Sequence, residues 1–386
     1  MRPLSSLPRR RLYVILAVLG ALALTGGIAQ ATLRDNGAKP PARPLALAVM
    51  DAVQQAPKLQ GLSAQIHFTN NLLPAGSLPP GAKSPLAAGA DGHLWLDRDG
   101  RFRLDLTSQD GDAQIVSDGH EVTVYDGTAN TRYAFALPAD AAKAVGGGGF
   151  DLAGLSKALG PLLDQVTISG AKPTSTAGRP SYTVRVAPKD DGGLLAAAEI
   201  AWDAEKGVPL RAAVYAQGND QPVLELKVTD IEYGPVAGDS LAATPHPDAR
   251  TIDLDNAGVH APGRPSADVA GLDAVQQRLG FRVSAPAELA GLARGEVHLA
   301  GRGKDAGAVV IYGKGLGSIL VFERPATGKG VLEGLPLPEV NIDGGTGKEL
   351  ATALGTIVTF RRGAVSYTVA GLVPPVAAEN AARGLG

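Results

Sequence analysis

Cysteine is absent from all 386 residues. This excludes disulfides, thiolate metal sites and thiol catalysis together, and with them the lipobox cysteine of a lipoprotein. An excess of charge of one sign is also lacking. The 36 basic and 38 acidic residues leave a net charge of −2, which gives no electrostatic case for nucleic acid. Histidine is scarce, and His67, His93, His120, His246, His260 and His298 form no ligand motif with one another or with a carboxylate at metal-binding spacing. His67 and His93 fall on strands and read as satisfied sheet residues. No G-x-S-x-G elbow is present. The stretch Gly344-Gly345-Thr346-Gly347-Lys348 ends like a phosphate loop, but Ile342 replaces its first glycine and Glu349 its magnesium-binding hydroxyl. Gly313–Ser318 joins two strands and reads as a hairpin turn. Nothing here suggests catalysis, a metal or a cofactor.

What is present starts with bulk. A chain of this length, 45% hydrophobic, can build about two cores, and its 50 glycines and 28 prolines fit a turn-rich sheet protein. At the N-terminus Arg2, Arg9, Arg10 and Arg11 precede the uncharged run Leu12–Ala31, which ends in Ala29-Gln30-Ala31. That is the pattern of a cleaved signal peptide. The same run, retained, is just long enough to anchor the chain in a membrane with its arginines inside. Both readings place the body of the protein outside the cytoplasm. Residues 32–44 are polar and proline-rich and read as a linker.

The most ordered stretch is Gly92–Phe135. Phe102, Leu104 and Leu106 share one side of it and Arg101, Arg103 and Asp105 the other, a period of two that marks strands with one buried face. Turns fall at Asp99-Gly100, Asp110-Gly111, Asp118-Gly119 and Asp126-Gly127, where Asp-Gly supplies positive φ. Five antiparallel strands follow: Gly92–Asp97, Arg101–Thr107, Ala113–Ser117, Glu121–Tyr125 and Thr131–Phe135. A short amphipathic helix over Leu45–Ala56 and a strand over Gly61–Leu72 precede them, and Leu73–Ala90 reads as a loop. After them comes a helix over Phe150–Val166 behind the hinge Gly146–Gly149. Five more strands are expected at Val166–Gly170, Ser181–Ala187, Ala197–Trp202, Pro209–Ala216 and Val223–Tyr233.

The run G-R-F-R-L-D (100–105), the run V-S-D-G-x-x-V-x-V-Y-D (116–126), Ala201-Trp202-Asp203, Gly207–Arg211 and Thr229–Gly234 together resemble the LolA-like lipoprotein-carrier superfamily, including its RseB-type sensors. The resemblance covers residues 45–236. It implies an α+β fold, an antiparallel half-barrel of about eleven strands covered by helices, over an apolar cavity that holds acyl chains or lipidated partners. Several such carriers are lipid-anchored, and this chain, without cysteine, departs from them. On the implied half-barrel the cavity lining is Ile66, Phe68, Leu94, Leu96, Phe102, Leu104, Leu106 and Tyr133, with Val122, Val124, Phe135, Ile200 and Trp202 as weaker members. The alternative is that these residues form a filled core. Arg101 and Arg103 align loosely with a family arginine that latches the lid, against the plainer reading of a solvated face. Loop 73–90 sits where a lid is plausible, against the plainer reading of a disordered surface loop, and the glycine hinge would let the Phe150–Val166 helix move, against that of a fixed core helix.

Residues 237–266 read as an interdomain linker and 267–386 as a smaller α+β domain. Within it a helix is expected at Asp268–Leu279. Strands are expected at Glu296–Leu299, Ala308–Tyr312, Ser318–Glu323, Thr356–Arg361 and Ser366–Gly371, before a closing helix at Pro374–Leu385. This region weakly resembles the small domains of envelope regulators. The expected function is non-catalytic: an extracytoplasmic protein that holds a lipid or the acyl chains of a lipoprotein. The alternative is an RseB-like sensor acting on a membrane-bound regulatory protein.

Overall fold

The computed structural model describes residues 37–55, 58–73, 84–137, 165–189, 193–253, 265–301, 303, 306–326, 332, 337–343 and 345–385. The signal or anchor run Leu12–Ala31, the hinge Gly146–Gly149 and nearly all of the expected helix Phe150–Val166 lie outside these residues. Among the described residues no helix is long and apolar enough to cross a membrane. They fall into two compact units. The first takes residues up to 187 with 197–215 and 219–258, and the second takes 188–196, 216–218 and residues from 259 onward.

In the first unit the order is α1 (Leu45–Gln55), β1 (Gly61–Asn70), α2 (Pro85–Ala88), β2 (Ala90–Asp97), β3 (Phe102–Ser108), β4 (Gly111–Ser117), β5 (Glu121–Asp126) and β6 (Thr131–Ala136). It continues with β7 (Val166–Ile168), β8 (Lys172–Thr176), β9 (Arg179–Pro188), β10 (Leu195–Asp203), β11 (Pro209–Ala216), β12 (Pro222–Tyr233) and β13 (Arg250–Asp253). All thirteen strands join one open sheet in the order β13-β6-β5-β4-β3-β2-β1-β12-β11-β10-β9-β7, with β8 on β9. The path from β13 to β7 does not close, so this is the α+β, half-open antiparallel sheet that the resemblance implies.

Two strands beyond the expected eleven have physical explanations. β8, Lys172-Pro173-Thr174-Ser175-Thr176, has no apolar alternation to betray it, yet it pairs antiparallel with β9. β13 comes from the segment read as a linker and adds in parallel to the edge strand β6. The segment read as a loop ends in the one-turn α2, where Pro85 sits at a helix start that needs no N–H from it.

The five-strand meander follows its sequence signals closely. Gly100 and Gly119 take the positive φ that Asp-Gly promised, at 81° and 92°. At Asp126-Gly127 the positive φ falls instead on Asn130, at 43°, because the turn is four residues long and Asp126 accepts the Thr128 N–H.

The second unit runs β14 (Pro265–Ala270), α3 (Leu272–Gln276), β15 (Glu288–Leu289), β16 (Leu292–Ala300), β17 (Gly307–Tyr312), β18 (Ile319–Pro325), β19 (Glu339–Ile342), β20 (Gly345–Thr352), β21 (Gly355–Arg362), β22 (Val365–Gly371) and α4 (Pro375–Arg383). Its nine-stranded sheet has the order β14-β16-β17-β18-β22-β21-β20-β19, with β15 on β16. The expected helix Asp268–Leu279 is split here. Gly271, at φ 96°, ends a strand and starts a helix of only five residues. The glycine stretch before Lys348 opens β20, so a strand stands where a phosphate loop would need a helix. Ala378, Ala381, Ala382 and Leu385 bring α4 and its exit onto β21 and β22, in the core that Val310, Val321, Val358 and Val369 share.

Candidate functional site

The first unit's sheet carries its apolar residues in cross-strand rows, one of them interrupted only at Ser117. One row runs Ala64, Leu94, Leu104, Ile115, Val124, Tyr133 from β1 to β6. A parallel row runs Leu62, Leu96, Phe102, Ser117, Val122, Phe135 across the same strands. Such rows form because period-two side chains in matched register stand on one face. All eight expected lining residues belong to this cluster: Ile66, Phe68, Leu104 and Leu106 are buried, and Leu94, Leu96, Phe102 and Tyr133 are partly buried. Leu86 of α2 packs on it too. Of the weaker candidates, Val122, Val124 and Phe135 join the cluster, Trp202 packs with α1 in a separate one, and Ile200 is exposed.

Gly92 is what lets these rows lie close. A Cβ there would sit 2.4 Å from the Asp105 carbonyl oxygen and 2.8 Å from Leu106 Cδ2. The bare backbone at Gly92 makes room for the Leu106 side chain, which is fully buried.

The opposite face is polar and has its own cover. Arg103 donates from Nε and Nη2 to Asp105 and from Nη1 to the Ala242 carbonyl at 2.7 Å. Gln114 donates to Asp105 and to Thr244 Oγ1, and its own oxygen accepts the Thr244 N–H at 2.8 Å. His246 stacks on Tyr125 with ring centroids 3.5 Å apart. The segment 238–246 is thus strapped across β3–β5, over a half-open cavity of about 510 Å³ lined in part by Val116, Thr123, Arg132, Leu241 and Pro245. Arg103 therefore works on the face away from the apolar rows. Arg101 is engaged in its own turn, where its Nε bonds Asp97 at 2.7 Å. His93 Nδ1 accepts from Gln65 Nε2 at 2.8 Å and its Nε2 shares a hydrogen bond with the Ser63 hydroxyl at 2.6 Å, and burial lowers its affinity for a proton. His67 bonds Asp91 at 2.6 Å. His93 is thus the satisfied sheet histidine expected, whereas the buried Nε2 of His67 has no partner among the described residues. No group of three or more metal-ligating side chains occurs among the described residues.

The sequence motifs of the closing strands meet around one carboxylate. Asp203, wholly buried, accepts from Arg179 Nε at 2.9 Å, from the Tyr233 hydroxyl at 2.8 Å, and from the backbone N–H groups of Glu205 and Lys206. Burial and the neighbouring Asp203 charge push the Tyr233 phenol far up. Gly207 then takes φ 71° and lies so close to α1 that a Cβ would fall 2.2 Å from the Ala52 carbonyl oxygen. The three motifs Ala201–Asp203, Gly207–Arg211 and Thr229–Gly234 are one structural joint.

No family model and no curated protein matches the chain. Solved structures do match it. The complex of MucB with the periplasmic part of MucA is 17% identical over 87% of this chain and 97% of that one, with a TM-score of 0.45. The Pseudomonas aeruginosa MucA/MucB complex is 17% identical over 86% and 95%, also at 0.45. A LolA superfamily protein from Nitrosomonas europaea is 8% identical over 52% and 99%, at 0.24.

The strap, the Asp203 joint and a third polar group were not visible as sites in the sequence. In that third group Arg211 donates to Glu225, Glu199 and Tyr215, and Arg185 donates to Glu199. Alternation signalled only that Arg103 lies opposite the apolar residues of its strand. What each of these arginines touches depends on strand order.

Proposed function

We propose that this protein binds a hydrophobic ligand, a lipid or the acyl chains of a lipoprotein, outside the cytoplasm and without catalysing a reaction. The observation that carries the reading is the pair of cross-strand rows from β1 to β6, one wholly apolar and the other apolar except at Ser117. In them Leu94, Leu96, Phe102 and Tyr133 stay partly open while the residues between them are buried. Each methylene laid against such a face contributes about 0.8 kcal/mol, so a long chain can be held firmly and still be released. The sequence resemblance to lipoprotein carriers supports the same reading. The ligand-binding residues would be Ile66, Phe68, Leu94, Leu96, Phe102, Leu104, Leu106 and Tyr133.

Native mass spectrometry of the protein purified from its own envelope, followed by organic extraction, tests this. An acylated species should co-purify and be lost from the double variant L94E/F102E, whose partly open positions tolerate charge better than Leu104 does. A clean apo mass with no uptake of fatty-acyl probes would sink the reading.

A second reading, a sensor that reports ligand binding to a membrane-bound regulatory protein, draws on the second unit. That unit has a sheet and core of its own that a simple carrier does not need. Crosslinking in intact envelopes separates the two: a sensor holds a stable protein partner through its second unit, and a carrier does not.

A further inference from the structure

The second unit buries a carboxyl in its core. Glu323 on β18 is 0% exposed and stands in register between Ala308 of β17 and Tyr367 of β22. Its Oε2 accepts the Ser284 N–H at 2.8 Å, while its Oε1 has no partner and neither does the buried hydroxyl of Tyr312. The titratable groups facing it, Tyr312 on β17 and Tyr367 on β22, are themselves raised by burial and carry no charge near neutrality. The nearby cations are engaged elsewhere: Arg294 of β16 with the Ala285 carbonyl, Arg362 of β21 with the Leu385 carbonyl, and Arg383 of α4 with Glu379. From α3 and α4 only apolar side chains enter the core, Val275 with Leu272 at its margin and the alanines. No cation bonds Glu323 among the described residues.

The stretch it holds, Phe281–Pro286, has no strand ladder. Gln276 of α3 donates to the Phe281 carbonyl and accepts the Val283 N–H, and Glu323 accepts from Ser284. Val283 is the apolar plug of this stretch, 6% exposed in the core. We propose that Glu323 is a proton-operated latch: in its neutral form it lets Phe281–Pro286 seal the core, and on ionising it draws water in and lifts that stretch.

The physics is that of a charge with one unpaired oxygen in an apolar core, which is costly enough that the group keeps its proton instead. Burial pushes Glu323 up to about 7. Because this lies above the ordinary carboxylate value, the seal is fully held below that ordinary value. It weakens as pH rises towards 7 and is weakest above it.

The test is hydrogen exchange of the Val283 and Ser284 amides in the full chain, corrected for intrinsic rates, at about pH 5 and pH 8. The opening constant should rise on the order of fiftyfold in the wild type and stay level in Glu323→Gln, which keeps an acceptor for Ser284. Equal protection at both pH values in the wild type, or an unchanged rise in Glu323→Gln, would overturn the proposal. Should the variant not fold, a carbon-13 titration of the wild-type Glu323 carboxyl decides it: a midpoint near 7 supports the latch, and one in the ordinary carboxylate range overturns it.

Discussion

The two sheets solve the same problem in different ways. In the second unit Ala308, Val310, Tyr312, Val321, Val358 and Val369 are all essentially inaccessible, in one core that the alanine face of α4 helps to close. In the first unit Phe68 and Leu106 are as deeply buried, but Leu94, Leu96, Phe102 and Tyr133, in rows continuous with them, are only partly covered. A sealed face can only store stability. A partly covered one retains apolar surface that a ligand can finish burying. The difference lies in the cover, because both sheets use the same period-two alternation.

Substitutions should show that difference most clearly. A charge at Val321, Val321→Asp, has no water to reach and should cost about 4 kcal/mol or more, unfolding the second unit. The same change at Leu96 should cost about half as much, since its side chain can turn outward. Paired denaturation curves check this, and equal losses would mean that the first sheet is sealed as well. Next in size is Asp203→Asn. It keeps the shape but leaves Arg179 with only its outer partner Glu205 and weakens the Tyr233 bond, for an expected loss of about 3 kcal/mol by thermal or urea unfolding. Smallest is Arg103→Ala. It frees the strap at Ala242 and should cost about 1 kcal/mol, with faster exchange at Thr244 and no effect on ligand uptake, since Arg103 lies on the far face. A loss of uptake in that variant would tie the two faces together and restore the latch expected of this arginine.

The same contrast explains what could be read in advance. The meander β2–β6 was legible because its apolar alternation and Asp-Gly turns agree, so local pattern and global fold say the same thing. The shared apolar face of Leu94, Leu96, Phe102, Leu104, Leu106 and Tyr133 followed from that alternation. β14 was misread because Val269, Leu272, Val275 and Leu279 do fall at helical spacing, and only Gly271 breaks the run. β19 and β20 were missed because Gly345-Thr346-Gly347-Lys348-Glu349 is too polar to announce a strand, although it forms one in the sheet. The strap was beyond reach for another reason: Arg103 and Thr244 are joined by topology, and no spacing rule connects residues so far apart.

The pairing of β1 with β12 sets Leu62 opposite Tyr233. As the chain emerges, β2–β6 can zip up hairpin by hairpin onto β1, but the other edge of β1 must wait for a strand made long afterwards. Non-local closures of this kind are slow because loop entropy is lost before the contacts repay it. In the interval the apolar rows and an unpaired strand edge are both open to other chains. The surface proposed to greet a ligand in the finished protein is thus also the one most in need of shielding while the protein is being made.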